Sequence, residues 1–220
     1  MLELKIRASA LGKIMTVPKA KGAVLSETAK TYLKQLWIEN NFGRYKEFSS
    51  KYTDKGNENE EQGITLVSRH FGELFVKNEK NFSNDFLTGT PDVIHEDMIL
   101  DNKCSWDIFT FMDSDMTTLY EWQGRAYMEL TGCTKFKLCY TLTDASERII
   151  FEEARRLSYR ADESVTLEEI IEGVRSQLTY KDIPREKKVK VFDLTHDPEL
   201  IEQAYEKIIH ARTFYNSLAL

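Results

Sequence analysis

The chain contains few cysteines and few prolines, and both shortages limit the classes of protein to which it can belong. Its 220 residues include three cysteines and four prolines. Three widely spaced cysteines do not form a disulfide framework, which predicts a cytoplasmic protein. No repeat, low-complexity tract or Pro/Gly-rich linker divides the sequence, so we expect a single domain over residues 1–220.

Long hydrophobic runs and excess positive charge are also missing. No apolar stretch approaches the roughly 20 residues of a membrane-spanning helix, so we expect no membrane partner. The N-terminal stretch MLELKIRASALGKIM lacks the apolar segment of a signal peptide. The formal net charge of −6 does not suggest a nucleic-acid-binding protein. Such a protein can still be acidic if its carboxylates hold metal ions and its basic residues face one groove.

What is present is enough for a packed core, since 41% of the residues are hydrophobic and 11% aromatic. Apolar spacing predicts helices, strands and a hairpin pattern in turn. The predicted helices cover residues 24–42, 57–77, 115–132, 166–178 and 197–218, the strands 135–141, 147–154 and 187–194, the hairpin 85–104, and a polar loop 44–56. Helices around a small sheet indicate an α/β or α+β fold.

The most informative segment is the hairpin, where two acidic residues and a lysine converge. A turn at Glu96 and Asp97 places Asp92 opposite Asp101 on the paired strands. Because side chains alternate along a strand, Asp101 and Lys103 share one face. Carboxylate oxygens suit a hard cation such as Mg²⁺, and the lysine can orient an attacking water beside it.

An acid-x-Lys triplet alone is weak evidence. Two others occur, Glu3-Leu4-Lys5 and Glu186-Lys187-Lys188, but neither has an acidic residue across a hairpin. A solvated strand face remains an alternative for Asp101 and Lys103. Asp92 can equally be a turn residue.

The helix before the hairpin directs one acidic residue inward. On an ideal helix over residues 57–77, Glu60 points within roughly 15° of the apolar face around Ile64 and Phe71. An inward carboxylate is costly unless it is paired or bound to a metal. If the helix begins later, Glu60 is instead a solvated acid of the first turn.

The helix after the hairpin carries Gln123 and Tyr127 on one face, because they are four residues apart. A surface glutamine beside a packed tyrosine has the same spacing. The chain thus contains Glu60, Gly89-x-x-Asp92, Asp101-x-Lys103 and Gln123-x-x-x-Tyr127, in that order. This series resembles the RecB-type branch of the PD-(D/E)xK nucleases. All four motifs in order are expected by chance in under roughly one chain in a hundred.

The N-terminal half resembles a narrower group. Arg7-Ala8-Ser9 opens a helix, Pro18-Lys19 follows, and Gly56-x-x-x-Glu60 precedes the hairpin. These features are similar to the phage lambda-type exonucleases, or YqaJ-like family. The resemblance implies that Ser9 helps hold a terminal 5′ phosphate and that Lys19 contacts DNA. A helix cap is the other interpretation of Ser9.

The resemblance implies a restriction-endonuclease-like core, a mixed sheet of four or five strands flanked by helices. Asp92, Asp101 and the backbone carbonyl of Asn102 are expected to hold one Mg²⁺, which Mn²⁺ can replace. Glu60 is expected to help hold a second ion. The family typically has glutamate where this chain has Asp101, which shortens the reach of that carboxylate.

The implied reaction is hydrolysis of phosphodiester bonds, digesting double-stranded DNA from 5′ to 3′. Lys103 is expected to position the water and Gln123 to support Lys103 or the scissile phosphate. Tyr127 is expected to pack behind them. The implied role is to supply single strands for recombination in a phage or prophage, with a single-strand annealing protein as the implied partner.

The resemblance further implies a ring-shaped homotrimer that threads duplex DNA. Three copies would line one channel with Lys19, Lys21 and Arg125, concentrating positive charge despite the acidic chain. Two other functions remain open. One is a repair endonuclease or a nuclease of other polarity with the same fold. The other is a DNA-binding protein without catalysis, against which the intact Asp92, Asp101 and Lys103 argue.

Overall fold

A computed structural model of the protein describes residues 4–46, 51–162 and 164–219. Its helices are α1 (Ala8–Met15), α2 (Glu27–Phe42), α3 (Lys51–Phe71), α4 (Ile108–Met112), α5 (Thr118–Thr131), α6 (Glu147–Ser158), α7 (Leu167–Leu178) and α8 (Pro198–Asn216). Its strands are β1 (Ile6–Arg7), β2 (Phe82–Ser83), β3 (Leu87–Gly89), β4 (Val93–His95), β5 (Met98–Cys104), β6 (Lys135–Thr141) and β7 (Val189–Thr195). Among the described residues, no helix is long and apolar enough to span a membrane.

The central sheet has four strands in the order β4-β5-β6-β7. Strands β5 and β6 are parallel, whereas the two outer pairs are antiparallel. Ile99 belongs to the core cluster that includes Ala126 of α5, and Leu100 belongs to the cluster that includes Val67 of α3. Helices therefore cover both faces of a mixed sheet, which confirms the predicted fold class.

The β4–β5 connection is a tight hairpin, as the sequence predicts. Val93 pairs with Leu100 and His95 with Met98, which leaves Glu96 and Asp97 as the turn. The backbone of Glu96 has a φ of 51°, in the left-handed region that such turns require. This register fixes which side chains of β5 face α5 and which face α3.

A second, three-stranded sheet joins the start of the chain to the hairpin. Its order is β1-β3-β2, and β1 leads directly into α1. A Cβ at Gly89 would lie 2.8 Å from Cε1 of Tyr127 and 2.9 Å from Cβ of Ala8. The absence of a side chain at Gly89 therefore lets α1, β3 and α5 approach one another closely.

Helix α5 is fixed at both ends by local signals. The side chain of Thr117 accepts a hydrogen bond from the backbone N–H of Tyr120. Gly132 ends the helix in a left-handed conformation with a φ of 80°. The predicted helix over residues 115–132 is therefore found, with slightly shorter bounds.

Two predicted elements are wrong in type or position. The strand predicted at 147–154 is helix α6, because Ser146 caps its first turn and Ile149, Ile150 and Ala154 pack towards α7. The helix predicted at 57–77 is α3, Lys51–Phe71, so the loop predicted at 44–56 ends earlier. Residues 47–50 of that loop lie outside the described residues.

Candidate active site and metal centre

The hairpin brings the two predicted aspartates together. The pairing of Val93 with Leu100 places Asp92 across from Asp101. The backbone N–H of Asn102 donates a hydrogen bond to Oδ2 of Asp92 over 2.8 Å. This bond holds the Asp92 side chain against the strand that carries Asp101 and Lys103.

Asp101 is almost fully buried, with 1% of its surface exposed. Nζ of Lys103 lies 2.5 Å from its Oδ2, and Nε2 of Gln123 donates to its Oδ1 over 3.1 Å. Apart from this ion pair, Oδ2 accepts no hydrogen bond from the part of the chain that the structure describes. One oxygen of Asp101 therefore retains capacity for a further ligand.

These charges perturb one another. Burial and then the charge of Asp101 raise the pKa of Asp92 to about 7. Burial opposes the charged form of Lys103, but Asp101 and Asp92 outweigh it and raise the pKa of that lysine above its ordinary value. One lysine does not neutralise the buried Asp101 and the half-buried Asp92, so the two carboxylates favour a bound cation.

Helix α5 supports Asp101 from one face of the sheet. Gln123 is buried, and its Nε2 lies within hydrogen-bonding distance both of Oδ1 of Asp101 and of the Tyr127 hydroxyl, at 3.1 Å each. Burial and the charge of Asp101 raise the pKa of Tyr127 to about 12, so the phenol stays protonated. The predicted Gln-x-x-x-Tyr pair therefore lies directly behind the carboxylate.

Helix α3 brings Glu60 to the rim of the same cleft rather than into the core. Its side chain is 26% exposed, and its Oε2 lies 2.7 Å from Nζ of Lys77. The inward direction expected from the ideal helix is thus only partly found, because α3 begins earlier and other polar residues take its buried face. Among the described residues, no three acidic, histidine or cysteine side chains converge tightly enough to hold an ion by themselves.

The residues present nevertheless fit Mg²⁺. This ion is usually held by one or two carboxylates, with water and substrate phosphate completing its octahedron. Asp92 and Asp101 supply two carboxylates, one with a free lone-pair direction. The Asn102 peptide directly follows Asp101, and its N–H is bonded to Asp92. The donor set is entirely oxygen, which suits a hard divalent cation.

A central cleft of about 820 Å³ opens onto these groups. Ser9, Glu60, Asp92, Asn102, Lys103 and Gln123 are among its lining residues. Ser9 lies in the first turn of α1 and also lines an adjoining cavity of about 440 Å³ with Arg7, Lys13 and Lys46. The serine thus connects the carboxylates with a basic cavity.

The other predicted DNA contacts are placed differently. Lys19 and Lys21 are exposed in the segment between α1 and α2. Arg125 is not on the surface. Its side chain is buried, and it forms an ion pair with Glu121 one turn earlier at 2.8 Å. The guanidinium is thus paired within α5, and the contact of Arg125 with DNA stays a prediction.

The sequence interpretation missed three residues near the site. Lys55 of α3 is fully buried and donates to the backbone carbonyls of Ser105 (2.9 Å) and Trp106 (2.7 Å). Asn59, one turn later, donates to Asp144, and the ring of Tyr120 faces Nζ of Lys103 at 5.4 Å. Lys55 and Asn59 share the i, i+4 stripe of Val67, which was the available signal.

Solved structures of exonucleases share this architecture. No model of a known protein family and no curated protein matches the chain by sequence. A phage-related exonuclease from Haemophilus somnus 129PT is similar with a TM-score of 0.77 and 28% identity, over 97% of this chain and 94% of that one. An alkaline exonuclease from Laribacter hongkongensis is similar with a TM-score of 0.64 and 15% identity, over 97% and 88%.

The Laribacter protein has also been solved in complex with dAMP. At 15% identity it shows the fold alone, whereas the Haemophilus protein is closer in both sequence and structure. The similarity to the Haemophilus protein supports a nuclease function for this chain. The structure of the chain is therefore similar to those of phage-related and alkaline exonucleases. It has the PD-(D/E)xK fold, and its motifs resemble the lambda-type, YqaJ-like branch of that fold.

Proposed function

We propose that the protein is a Mg²⁺-dependent exonuclease that digests double-stranded DNA from the 5′ end. The observation that carries this proposal is that Asp92 and Lys103 line one cleft large enough for a nucleotide, with the Asp101 carboxylate directly behind Lys103. The exonuclease neighbours support the reaction class.

The metal would be held by Asp92, Asp101 and the backbone carbonyl of Asn102, with Glu60 contributing to a second ion. When bound, such ions stabilise the charge that develops on the attacking and leaving oxygens of an in-line displacement. Mn²⁺ replaces Mg²⁺ in this role because it accepts similar oxygen ligands.

Lys103 has the position expected of a residue that orients the attacking water. Its ammonium is held at 2.5 Å from Asp101 and also faces the ring of Tyr120, so its direction is defined. A water placed beside it would lose a proton as its oxygen attacks phosphorus, while the oxygen of the leaving nucleotide takes up a proton. Gln123 fixes Asp101, and Tyr127 packs behind Gln123.

The preference for a 5′ end rests on the cavity beside Ser9. Arg7, Lys13 and Lys46 line it, and Ser9 joins it to the central cleft. A terminal phosphate bound by these donors would present the next phosphodiester to the carboxylates. This arrangement favours digestion from a 5′-phosphorylated end.

We also propose a homotrimer that encloses duplex DNA, with Lys19 and Lys21 facing the channel. A closed ring would retain DNA although the chain is acidic overall. Light scattering then gives about three times the 25.6 kDa chain mass, and digestion continues for many nucleotides after addition of excess unlabelled DNA. A monomeric mass with immediate arrest would exclude the ring. Supply of single strands to an annealing protein in phage recombination fits this activity.

Polarity and metal use are tested together on labelled duplexes. Duplexes carry either a 5′ phosphate or a 5′ hydroxyl and a label at the 3′ end, and reactions contain Mg²⁺, Mn²⁺ or Ca²⁺. We expect digestion with Mg²⁺ or Mn²⁺, binding without turnover in Ca²⁺, and faster digestion of the 5′-phosphorylated duplex. Early release of the 3′ label would contradict the 5′ polarity.

A further inference from the structure

The segment after α3 returns to the edge of the central sheet beside the site. Lys77 forms an isolated antiparallel bridge with Val93. The backbone N–H of Asn78 donates to the carbonyl of Asp92 over 2.7 Å, and its side-chain amide donates to the carbonyl of Pro91 over 2.9 Å. The backbone of Lys77 is therefore anchored next to a proposed metal ligand.

From this anchor the Lys77 side chain reaches across to α3. Its Nζ lies 2.7 Å from Oε2 of Glu60, with the two side chains 42% and 26% exposed. This partly solvated pair lies at the rim of the cleft, unlike the nearly buried contact between Lys103 and Asp101. The Glu60 carboxylate, which lines the same cleft as Asp92, is thus already paired with a lysine.

We propose that Lys77 is a built-in counter-ion of Glu60 that competes with the divalent cation for this carboxylate. The inference rests on the proposed function, in which Glu60 contributes to a second metal ion. Binding of the ion at Glu60 must displace the ammonium or share the carboxylate with it, and either lowers the affinity. Because exposed ion pairs are weak, Lys77 weakens metal binding at Glu60 without preventing it.

The consequence is two metal sites of unequal strength. The site formed by Asp92 and Asp101 would bind its ion more tightly, because one lysine leaves these two carboxylates incompletely neutralised. The site at Glu60 would bind its ion more weakly, because Lys77 would have to release the carboxylate or share it. The displaced ammonium stays beside the cleft, since its backbone is fixed by the bridge to Val93.

Calorimetric titration of the full chain with Ca²⁺, without DNA, tests this competition. Lys77→Met is expected to tighten Glu60-dependent Ca²⁺ binding by about two- to fivefold, as expected for release from an exposed ion pair. Lys77→Arg keeps the pair and is expected to bind as the wild type does. Lys80→Met is the matched control, because this exposed lysine of the same segment lies over the Phe82 ring at 4.8 Å.

Glu60→Gln separates the failure of this inference from failure of the proposed function. If Glu60→Gln leaves all Ca²⁺ binding unchanged, Glu60 is no metal ligand, and the two-metal proposal fails with the competition. If Glu60→Gln removes a binding event but Lys77→Met does not tighten it, only the competition is overturned. If Lys80→Met tightens Ca²⁺ binding equally, the competition is also overturned, because the effect then comes from the lower positive charge of the segment and not from the pair with Glu60. In the Glu60→Gln background, Lys77→Met is expected to change nothing.

Discussion

Helices α3 and α5 cover opposite faces of the strand that carries Asp101 and Lys103, and they support it in different ways. Helix α5 reaches the reacting groups directly, because Gln123 donates to the Asp101 carboxylate. Helix α3 packs against the other face of the strand, and beyond the strand's end its buried Lys55 ammonium binds the carbonyls of Ser105 and Trp106. Helix α5 therefore orients the Asp101 side chain, whereas α3 is itself anchored to the segment after β5 and carries Glu60.

The two kinds of support predict different losses. Removing a hydrogen bond to a metal ligand lowers metal affinity or rate with little change in stability. Removing a buried cation changes the free energy of unfolding and its dependence on pH. Substitutions on the two helices, compared with one on the strand between them, separate these effects.

The largest effect is expected from the strand itself. Lys103→Ala is expected to lower cleavage by about 10³-fold, because a preorganised charge beside the reacting water is lost. The matched control is Lys137→Ala, which removes a lysine of β6 that is also ion-paired at 2.5 Å, with Asp193. Nucleotide release under single-turnover conditions measures both variants. Near wild-type cleavage by Lys103→Ala would remove this lysine from the site.

The next effect concerns α3 and appears in stability. Burial lowers the pKa of Lys55 to about 8, from 10.5 for the free side chain. Between these values the unfolded chain binds more protons than the folded chain, so this lysine makes stability rise with pH. The rise is about 3 kcal/mol at most, since one pKa unit corresponds to about 1.4 kcal/mol.

Lys55→Met is expected to lose this rise. Denaturant unfolding at pH values from 7 to about 10.5 measures it as the difference between wild type and variant. Lys80→Met, at an exposed position, is expected to follow the wild type throughout. A constant difference between Lys55→Met and wild type across that range would show that Lys55 does not titrate as a buried cation.

The smallest effect is expected on α5. Gln123→Ala removes the donor to Asp101 and is expected to slow nucleotide release by about 10- to 100-fold, as for other groups that orient metal ligands. Tyr127→Phe keeps the ring that packs against Gly89 and removes only the hydroxyl, so its rate is expected to stay within a few-fold. If both variants were equally slow, the Tyr127 hydroxyl would matter as much as the Gln123 amide, and the single bond from Gln123 to Asp101 would not explain the support from α5.

The same contrast explains what the sequence could predict. Short-range spacing predicts that Gln123 and Tyr127 share one face of a helix, because residues four apart on a helix are neighbours. It also predicts the hairpin register, because a two-residue turn has a fixed geometry. The sheet and its flanking helices follow from the alternation of apolar periods. These are the parts that the structure confirms.

The contacts of α3 were not predictable in this way. Lys55 bonds to backbone carbonyls about fifty positions later in the chain, and the helical stripe that it shares with Asn59 and Val67 does not identify those partners. Its burial also depends on where α3 begins, which the sequence placed too late. Likewise, the Ile149-Ile150 pair suggests a strand until the cap at Ser146 and the packing on α7 are seen. The burial of Arg125 and its ion pair with Glu121 also depend on packing that the charge of the residue does not indicate.

The central claim is that Asp92 and Asp101 hold a divalent cation that drives hydrolysis. It is tested most directly by Asp101→Asn, which keeps the shape of the side chain and removes its charge. Digestion of a 5′-phosphorylated duplex is followed in Mg²⁺ and in excess chelator, with folding checked by thermal unfolding. We predict that the wild type digests only with Mg²⁺ and that folded Asp101→Asn digests in neither condition. Digestion by the wild type in chelator, or by Asp101→Asn at the wild-type rate, would contradict the metal site.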